Sequence, residues 1–182
     1  RGLVRDAIER QLRSDVPLGA YLSGGVDSGT LTAVAGRAIP HLMTFTAGFD
    51  QRCTIGEEAA FDERQAAEAI SNHFGTEQYE VVIQPTDMPR CLPRLMWHLE
   101  VPRLGMSYPN FFISRLASRF VKVALSGAGG DELFGGYPWR YPTGSRSRTV
   151  EAFVDAAYPA WQRLIPADRV DEAFGPRLAD AP

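Results

Sequence analysis

Short apolar runs alternate with segments of helical periodicity along the chain, and this alternation limits the fold more than any other feature. Apolar runs rich in β-forming residues predict strands at Val16–Leu22, Leu42–Phe49, Gln78–Ile83 and Val121–Gly127. Apolar residues at helical spacing predict helices at Leu3–Leu12, Asp27–Ala38, between Asp62 and Gly75, and at Asp87–Leu99 and Phe111–Phe120. Strands that alternate with helices predict an α/β fold in which helices cover both faces of a parallel sheet.

Local signals mark the ends of the third predicted helix and an irregularity inside the fourth. Asp62 is the predicted N-cap of the third helix, and Gly75 is its predicted stop. Pro93 lies inside the fourth helix and is expected to kink or divide it, because proline lacks a backbone N–H and its ring clashes with the preceding turn.

The composition excludes several classes of protein. The 182 residues suffice for one domain with its own core, and the net charge of −3 provides no general attraction to nucleic acids or membrane surfaces. The sequence contains no apolar run of about 18 residues, so we expect no membrane-spanning segment. Cys53 and Cys91 lack metal-site spacing and are interpreted as two reduced thiols, which favours a cytoplasmic location.

The segment AYLSGGVDSGTL, residues 20–31, places a Ser/Gly-rich turn between a predicted strand and a predicted helix. Gly24 and Gly25 allow the backbone to approach a ligand closely, and successive amides in such a turn can bind an anion. The N-terminal end of the helix adds a positive potential, and Ser23 and Ser28 supply hydroxyl donors. The segment therefore predicts a phosphate-binding loop, although it has no lysine and does not match the G-x-x-x-x-G-K-[ST] pattern.

Asp27 is the unexpected residue of this loop, because a carboxylate beside phosphates is repulsive unless a cation lies between them. Mg²⁺ is the natural cation, since it is held by one or two carboxylates together with phosphate oxygens. The alternative is that the Ser-Gly-Gly turn is merely tight and that Asp27 caps the helix.

A second segment, VALSGAGGDELFGGY at residues 123–137, also follows a predicted strand. In an open parallel sheet, ligands bind beyond the carboxyl ends of the strands. We therefore expect SGGVDSG and SGAGGDE to line one crevice. The alternative for Asp131 and Glu132 is a solvated loop with helix-capping acids.

The first segment resembles the pyrophosphate-binding loop, S-G-G-x-D-S, of the N-type ATP pyrophosphatases. Their fold is the adenine nucleotide alpha hydrolase-like fold, also called the PP-loop ATP pyrophosphatase fold. The second segment is similar to the LSGEGxDExFGGY signature of the glutamine-dependent asparagine synthetases. SDVPLGAYLSGGVDS, TFTAGF and the stretch from FDERQ to YEVVI resemble the same family, so the likeness covers roughly residues 4–137.

The resemblance implies that the chain binds ATP and Mg²⁺. Leu22 and Ala47 match positions that contact the nucleotide, largely through backbone groups near the base. Asp27 and Asp131 match acidic residues that are associated with Mg²⁺ and pyrophosphate, and they are the expected catalytic and metal-binding residues. The other matches are to the pyrophosphate loop and to a second nucleotide-contacting pair: Ser23, Gly24, Gly25, Asp27 and Ser28 in the loop, and Ser126 and Gly127 in the pair.

The activity implied by the resemblance is adenylation of a small carboxylate, aspartate by default, with release of pyrophosphate. Ammonia from glutamine then gives asparagine and AMP. The implied partners are this substrate and a glutaminase domain or another ammonia source, with no nucleic acid and no membrane; a homodimer stays open. Residues 1–142 are the predicted ATP-binding synthetase domain, residues 143–182 are the predicted start of a helical C-terminal part, and the N-terminal glutaminase domain is expected to be absent from this chain.

The chain departs from the family pattern at Ala128, where the asparagine synthetases usually carry glutamate. Alanine can neither accept a proton nor hold an ammonium ion, although Glu132 or Glu100 could fill that role. The family also uses a lysine beyond the second segment, whereas Lys122 is the last lysine here. Two alternatives therefore stay open: an amide- or ring-forming synthetase that acts on another carboxylate, and a nucleotide-binding module without turnover.

Overall fold

The computed structural model describes residues 2–52, 62–100, 107–137, 147–161 and 169. The chain divides into two compact units, residues 1–128 and 129–182, and each unit is described by itself. The predicted domain boundary at residue 142 lies outside the described residues. No helix in the described part of the chain combines the length and the apolar character of a membrane span.

A four-stranded parallel sheet forms the centre of the first unit. Its strands lie in the order β3-β2-β1-β4. In chain order they are β1 (Leu18–Tyr21), β2 (Met43–Phe49), β3 (Glu77–Ile83) and β4 (Val123–Leu125). The last strand therefore lies beside the first, and the carboxyl ends of all four strands share one edge of the sheet.

Helices pack on both faces of this sheet, as the alternation of strands and helices predicts. The first unit contains α1 to α5, at Gly2–Gln11, Val26–Ala38, Arg64–Phe74, Asp87–Leu99 and Ser107–Ala117. One core packs α1 and α2 against Leu18 and Ala20 of β1. A second core packs α5 around Phe45 of β2, with Tyr21 of β1 at its border. Because successive side chains of a strand point to opposite faces, these two cores lie on opposite sides of the sheet.

Pro93 does not divide the fourth helix, since α4 runs without interruption from Asp87 to Leu99, so of the predicted kink or division the division is wrong. Cys91 and Leu95 are buried on either side of Pro93, and this packing outweighs the one lost hydrogen bond. The structure also moves the start of α5 back to Ser107. Pro109 falls in its first turn, where proline has no intrahelical hydrogen bond to lose.

The prediction for the ends of the third helix is confirmed at one end and one residue off at the other. Gly75 ends α3 in the left-handed conformation, with φ 65°. The N-cap position is held by Glu63 and not by Asp62, and the Glu63 side chain makes no capping hydrogen bond. Asp62 Oδ1 nevertheless accepts the backbone N–H of Arg64, the first residue of the helix, at 3.3 Å, and the same carboxylate binds the guanidinium of Arg64.

The described part of the second unit contains two helices, α6 (Gly130–Phe134) and α7 (Val150–Trp161). The short helix α6 carries the acidic residues of the second segment in its first turn. Helix α7 lies within residues 143–182, and the assignment of that stretch to a helical C-terminal part stays a prediction.

Candidate functional site

The Ser/Gly-rich loop leads directly from β1 into α2. β1 ends at Tyr21, and α2 begins at Val26 after Gly25, which has an extended backbone and provides no side-chain cap. Asp27 therefore lies in the first turn of α2 and not at the N-cap position. Its carboxylate stands at the positive end of a helix of 13 residues.

Ser23 and Ser28 hold the two ends of the loop together. The N–H of Ser23 donates to Ser28 Oγ at 3.1 Å, the two Oγ atoms are 3.0 Å apart, and Ser28 Oγ donates to the Gly25 carbonyl at 3.2 Å. The loop is thus held in shape by its own side chains, while Ser23 remains exposed.

Gly24 lies against the first turn of α3. Its φ is +79°, and a Cβ at this position would lie 2.7 Å from the Cβ of Ala66 and 3.2 Å from the carbonyl oxygen of Glu63. Glycine alone combines this backbone conformation with this close approach. Helix α3 is therefore a further element that contacts the loop, and no pattern in the sequence indicates it.

Gly127 brings the second segment against the first. A Cβ at Gly127 would lie 2.9 Å from the backbone nitrogen of Ser28 and 3.0 Å from the Cβ of Asp27. Ser126 is exposed beside it, and its Oγ accepts the N–H of Ala128 at 3.2 Å. The structure therefore places Gly127 against the loop at the carboxyl edge of the sheet, as expected from its position after β4.

Leu22 and Ala47 lie at the carboxyl ends of β1 and β2. The N–H of Leu22 donates to the Phe45 carbonyl at 2.9 Å, and the Leu22 carbonyl accepts from Thr46 Oγ1 at 2.8 Å. The backbone N–H and carbonyl of Phe45 point toward β1, and those of Ala47, two residues further along β2, point in the same direction. The pairing of β1 with β2 ends at Tyr21 and Phe45, so Ala47 presents its N–H and carbonyl beyond the end of β1.

Glu63 and Arg64 lie near the loop but were not among the predicted site residues. Burial raises the pKa of the Glu63 carboxyl above its ordinary value, and hydrogen bonding with Ser23 offsets part of this shift. Arg64 donates to Asp62 through Nε at 2.8 Å and through Nη2 at 2.6 Å, and to the Phe49 carbonyl at 3.0 Å. The hydrogen bond from Arg64 holds the pKa of Asp62 below its ordinary value. The sequence indicates only a helix start here, because the proximity to the loop depends on how α3 packs.

Asp131 belongs to the second unit, in the first turn of α6. Its neighbour Glu132 accepts a hydrogen bond of 2.7 Å from the Tyr137 hydroxyl. Because the two units are described separately, the partnership of Asp131 with Asp27 stays a prediction.

A cavity of about 520 Å³ opens between α4 and α5. Charged, polar and apolar side chains line it, among them Arg94, His98, Asn110, Phe111 and Arg115. None of the predicted site residues lines this cavity, so it is a feature separate from the loop.

The first unit is an α/β domain with a Ser/Gly-rich loop at the carboxyl edge of a parallel sheet. The model of the asparagine synthase family matches residues 1–181 of the chain. The chain is 38% identical over 138 residues to asparagine synthetase (glutamine-hydrolyzing) 1 of Bacillus subtilis (strain 168), a match that covers 75% of this chain and 21% of the relative. It is 31% identical over 202 residues to asparagine synthetase (glutamine-hydrolyzing) 3 of the same organism, covering 100% of this chain and 32% of the relative.

The chain therefore belongs to the asparagine synthase family. It spans 21% and 32% of the length of these two curated relatives. Among solved structures, a glutamine-dependent NAD⁺ synthetase from Acinetobacter baumannii in complex with ADP matches with a TM-score of 0.44 and 20% identity, over 93% of this chain and 35% of that one.

Proposed function

We propose that this chain is the ATP-binding part of a synthetase that adenylates a carboxylate and releases pyrophosphate. Ammonia then attacks the acyl-adenylate to give an amide and AMP. Aspartate is the proposed carboxylate, asparagine the product, and a glutaminase domain the source of ammonia. A free carboxylate is a poor acyl donor, and adenylation converts it into a reactive one.

The contact of Gly127 with Asp27 and Ser28 is the observation that carries this proposal. It joins the two family segments at the N-terminal end of α2, where free N–H groups and the helix dipole favour phosphate. Ser23 is exposed there and can turn its hydroxyl toward a phosphate oxygen. Ser23, Gly24, Gly25, Ser28, Ser126 and Gly127 are the residues proposed to hold the triphosphate.

The backbone of Ala47 supports a site for the base at the same edge. A peptide N–H and carbonyl that point in one direction match the acceptor N1 and the donor amino group of adenine. Leu22 is 1% exposed, its N–H is bonded to Phe45 and its carbonyl to Thr46, so both of its backbone groups are already engaged. We propose that Ala47 makes the main backbone contacts with adenine and that Leu22 contributes to the wall beside it.

The donors of the loop fit a Mg²⁺ ion that arrives with ATP. The described residues contain no group of three or more histidine, cysteine, aspartate or glutamate side chains that could hold a metal by itself. Mg²⁺ ordinarily keeps several waters and phosphate oxygens as ligands and needs only one or two carboxylates. Asp27 provides one carboxylate at the N-terminal end of α2. We propose Asp27 as its ligand with Asp131 as the second, and the ion would neutralise charge on the leaving pyrophosphate.

Ala128 favours a second candidate for the acceptor. Its side chain cannot act as the acid or base that the usual glutamate provides, and it lies next to the Ser126–Gly127 pair. The second candidate is therefore amide or ring formation on a carboxylate other than aspartate.

The test is the binding of ATP with Mg²⁺ by wild type, Asp27→Asn and Asp15→Asn. Asp15 is an exposed residue before β1, at the opposite edge of the sheet, so its variant makes the same charge change away from the loop. We expect Asp27→Asn to weaken Mg²⁺-dependent ATP binding at least about tenfold and Asp15→Asn to leave it unchanged. Equal affinities for the two variants would contradict the proposed site.

Pyrophosphate release tests the chemistry. Aspartate-dependent release supports asparagine synthesis, and release with another carboxylate alone supports the second candidate. ATP binding without release for any carboxylate, in the protein supplied with ammonia, would contradict both and support a nucleotide-binding module without turnover.

A further inference from the structure

The peptide group between Leu22 and Ser23 is the last one before the Ser/Gly-rich loop, and it is held at both ends. Its carbonyl accepts a hydrogen bond of 2.8 Å from Thr46 Oγ1. Its N–H donates to Ser28 Oγ at 3.1 Å, and Ser28 Oγ donates in turn to the Gly25 carbonyl. Because a peptide group is planar, the bond from Thr46 also fixes the direction of the Ser23 N–H and therefore the position of the Ser28 hydroxyl.

Thr46 is itself oriented by a side chain of the neighbouring strand. Gln78 Nε2 lies 3.0 Å from Thr46 Oγ1 and 3.1 Å from a carboxylate oxygen of Glu80. Thr46 has one proton and gives it to the Leu22 carbonyl, which can only accept, so its oxygen must accept from Gln78. The direction of every bond is thus determined: Gln78 donates to Glu80 and to Thr46, and Thr46 donates to Leu22.

These bonds form one continuous chain from β3 through β2 to the loop. Thr46 and Leu22 are each 1% exposed, so water cannot replace the hydroxyl if it is lost. Donors and acceptors in such a chain strengthen one another, and the loss of a central member affects all of them.

We infer that Thr46 is a positioning residue for the nucleotide: through the Leu22–Ser23 peptide, its hydroxyl sets the geometry of the loop that binds pyrophosphate. Thr46 does not touch the ligand; it acts on Ser23 and Ser28, which do. This inference rests on the proposed ATP site and names a residue outside the set that the family resemblance implies.

Thr44 provides a matched control in the same strand. It lies on the same face of β2 as Thr46, is 0% exposed, and its hydroxyl is 3.2 Å from the Thr76 hydroxyl, away from the loop. Thr46→Val and Thr44→Val therefore both replace a hydroxyl by a methyl group, at equally buried positions. A merely structural role predicts similar losses of stability for both and no difference in ATP binding.

The experiment measures ATP affinity with Mg²⁺ by titration calorimetry, together with the urea midpoint of each variant, on the full chain. We expect Thr46→Val to raise the Kd for ATP about tenfold and Thr44→Val to change it less than about twofold, with similar losses of stability. Thr46→Ser keeps the hydroxyl and is expected to bind ATP within about twofold of wild type. Gln78→Leu leaves the β2 core intact and is expected to raise the Kd about threefold, so it serves if Thr46→Val does not fold.

Two negative outcomes are distinguishable. If wild type binds ATP and neither Thr46→Val nor Gln78→Leu weakens binding beyond Thr44→Val, the inference is overturned and the proposed ATP site stands. If wild type itself binds no ATP, the proposed function and the inference fall together.

Discussion

Replacing each of the two adjacent glycines of the loop by alanine tests the loop geometry directly. Gly24 has a φ of +79°, in the left-handed region, whereas Gly25 has a φ of −71° and a ψ of 163°, which any residue adopts. A Cβ at Gly24 would lie 2.7 Å from the Cβ of Ala66, but the nearest atom to a Cβ at Gly25 is Ser23 Oγ at 3.4 Å. The two variants add the same methyl group at neighbouring positions.

The structure sets the expected magnitudes. The left-handed conformation costs alanine about 1–2 kcal/mol, and forcing a methyl group into packed atoms costs about 1–3 kcal/mol. Gly24→Ala should therefore lower the free energy of unfolding by about 2–5 kcal/mol. Gly25→Ala requires no strain and should change it by about 0.5 kcal/mol or less in either direction.

Urea unfolding followed by circular dichroism measures this difference. Adding Ala66→Gly to Gly24→Ala should relieve the closest steric contact but neither the contacts with the α3 backbone nor the cost of φ, so the two substitutions should couple favourably by about 1 kcal/mol. If Gly24→Ala and Gly25→Ala are equally stable within about 0.5 kcal/mol, the described conformation of the loop and its contact with α3 are wrong.

Two further predictions follow from contacts beside the loop. Asp62 is 2% exposed at the side chain and its pKa is lowered by Arg64, so its pairing stabilises the fold at neutral pH, and this stabilisation is lost as the pH falls below about 4. Asp62→Asn should be about 2 kcal/mol less stable than wild type at pH 7, and urea titrations at pH 7 and pH 3 should show a smaller difference at the lower pH; a difference that does not change with pH would contradict the role of the charge. Gly127→Ala places a Cβ 3.0 Å from that of Asp27, and it should lower both the urea midpoint and the affinity for ATP with Mg²⁺; an unchanged affinity would show that the contact between the segments does not shape the site.

The sequence is sufficient to predict the parallel α/β fold because the signals for it are local. Apolar runs and helical spacing each extend over a few residues, and their alternation leaves few arrangements. Strand lengths are less predictable, because they depend on the partner. β4 was expected to reach from Val121 to Gly127, but β1 pairs with it only from Leu18 to Ala20, so the ladder ends at Leu125.

The candidate site, like the fold, was predictable only where its signals are local in the sequence. Both glycine-containing segments are visible in the sequence, and their position after strands places them at one edge. The contributions of Glu63, Ala66 and Thr46 were not predicted, because each depends on the packing of α3 or on the register of two strands. A threonine in a strand usually indicates only a favourable β-forming residue, and its hydroxyl acquires a role here through its distance from Leu22.

The contact of Gly127 with Asp27 also has a consequence for the order in which the protein becomes functional. The two residues lie about a hundred positions apart, and β4, which delivers Gly127, is an edge strand of the sheet. During synthesis, β1, β2 and β3 leave the ribosome well before β4. In a nascent chain without β4, the loop therefore lacks its contact with Gly127. A nucleotide that binds only the completed site would therefore stabilise only those chains in which β4 has docked.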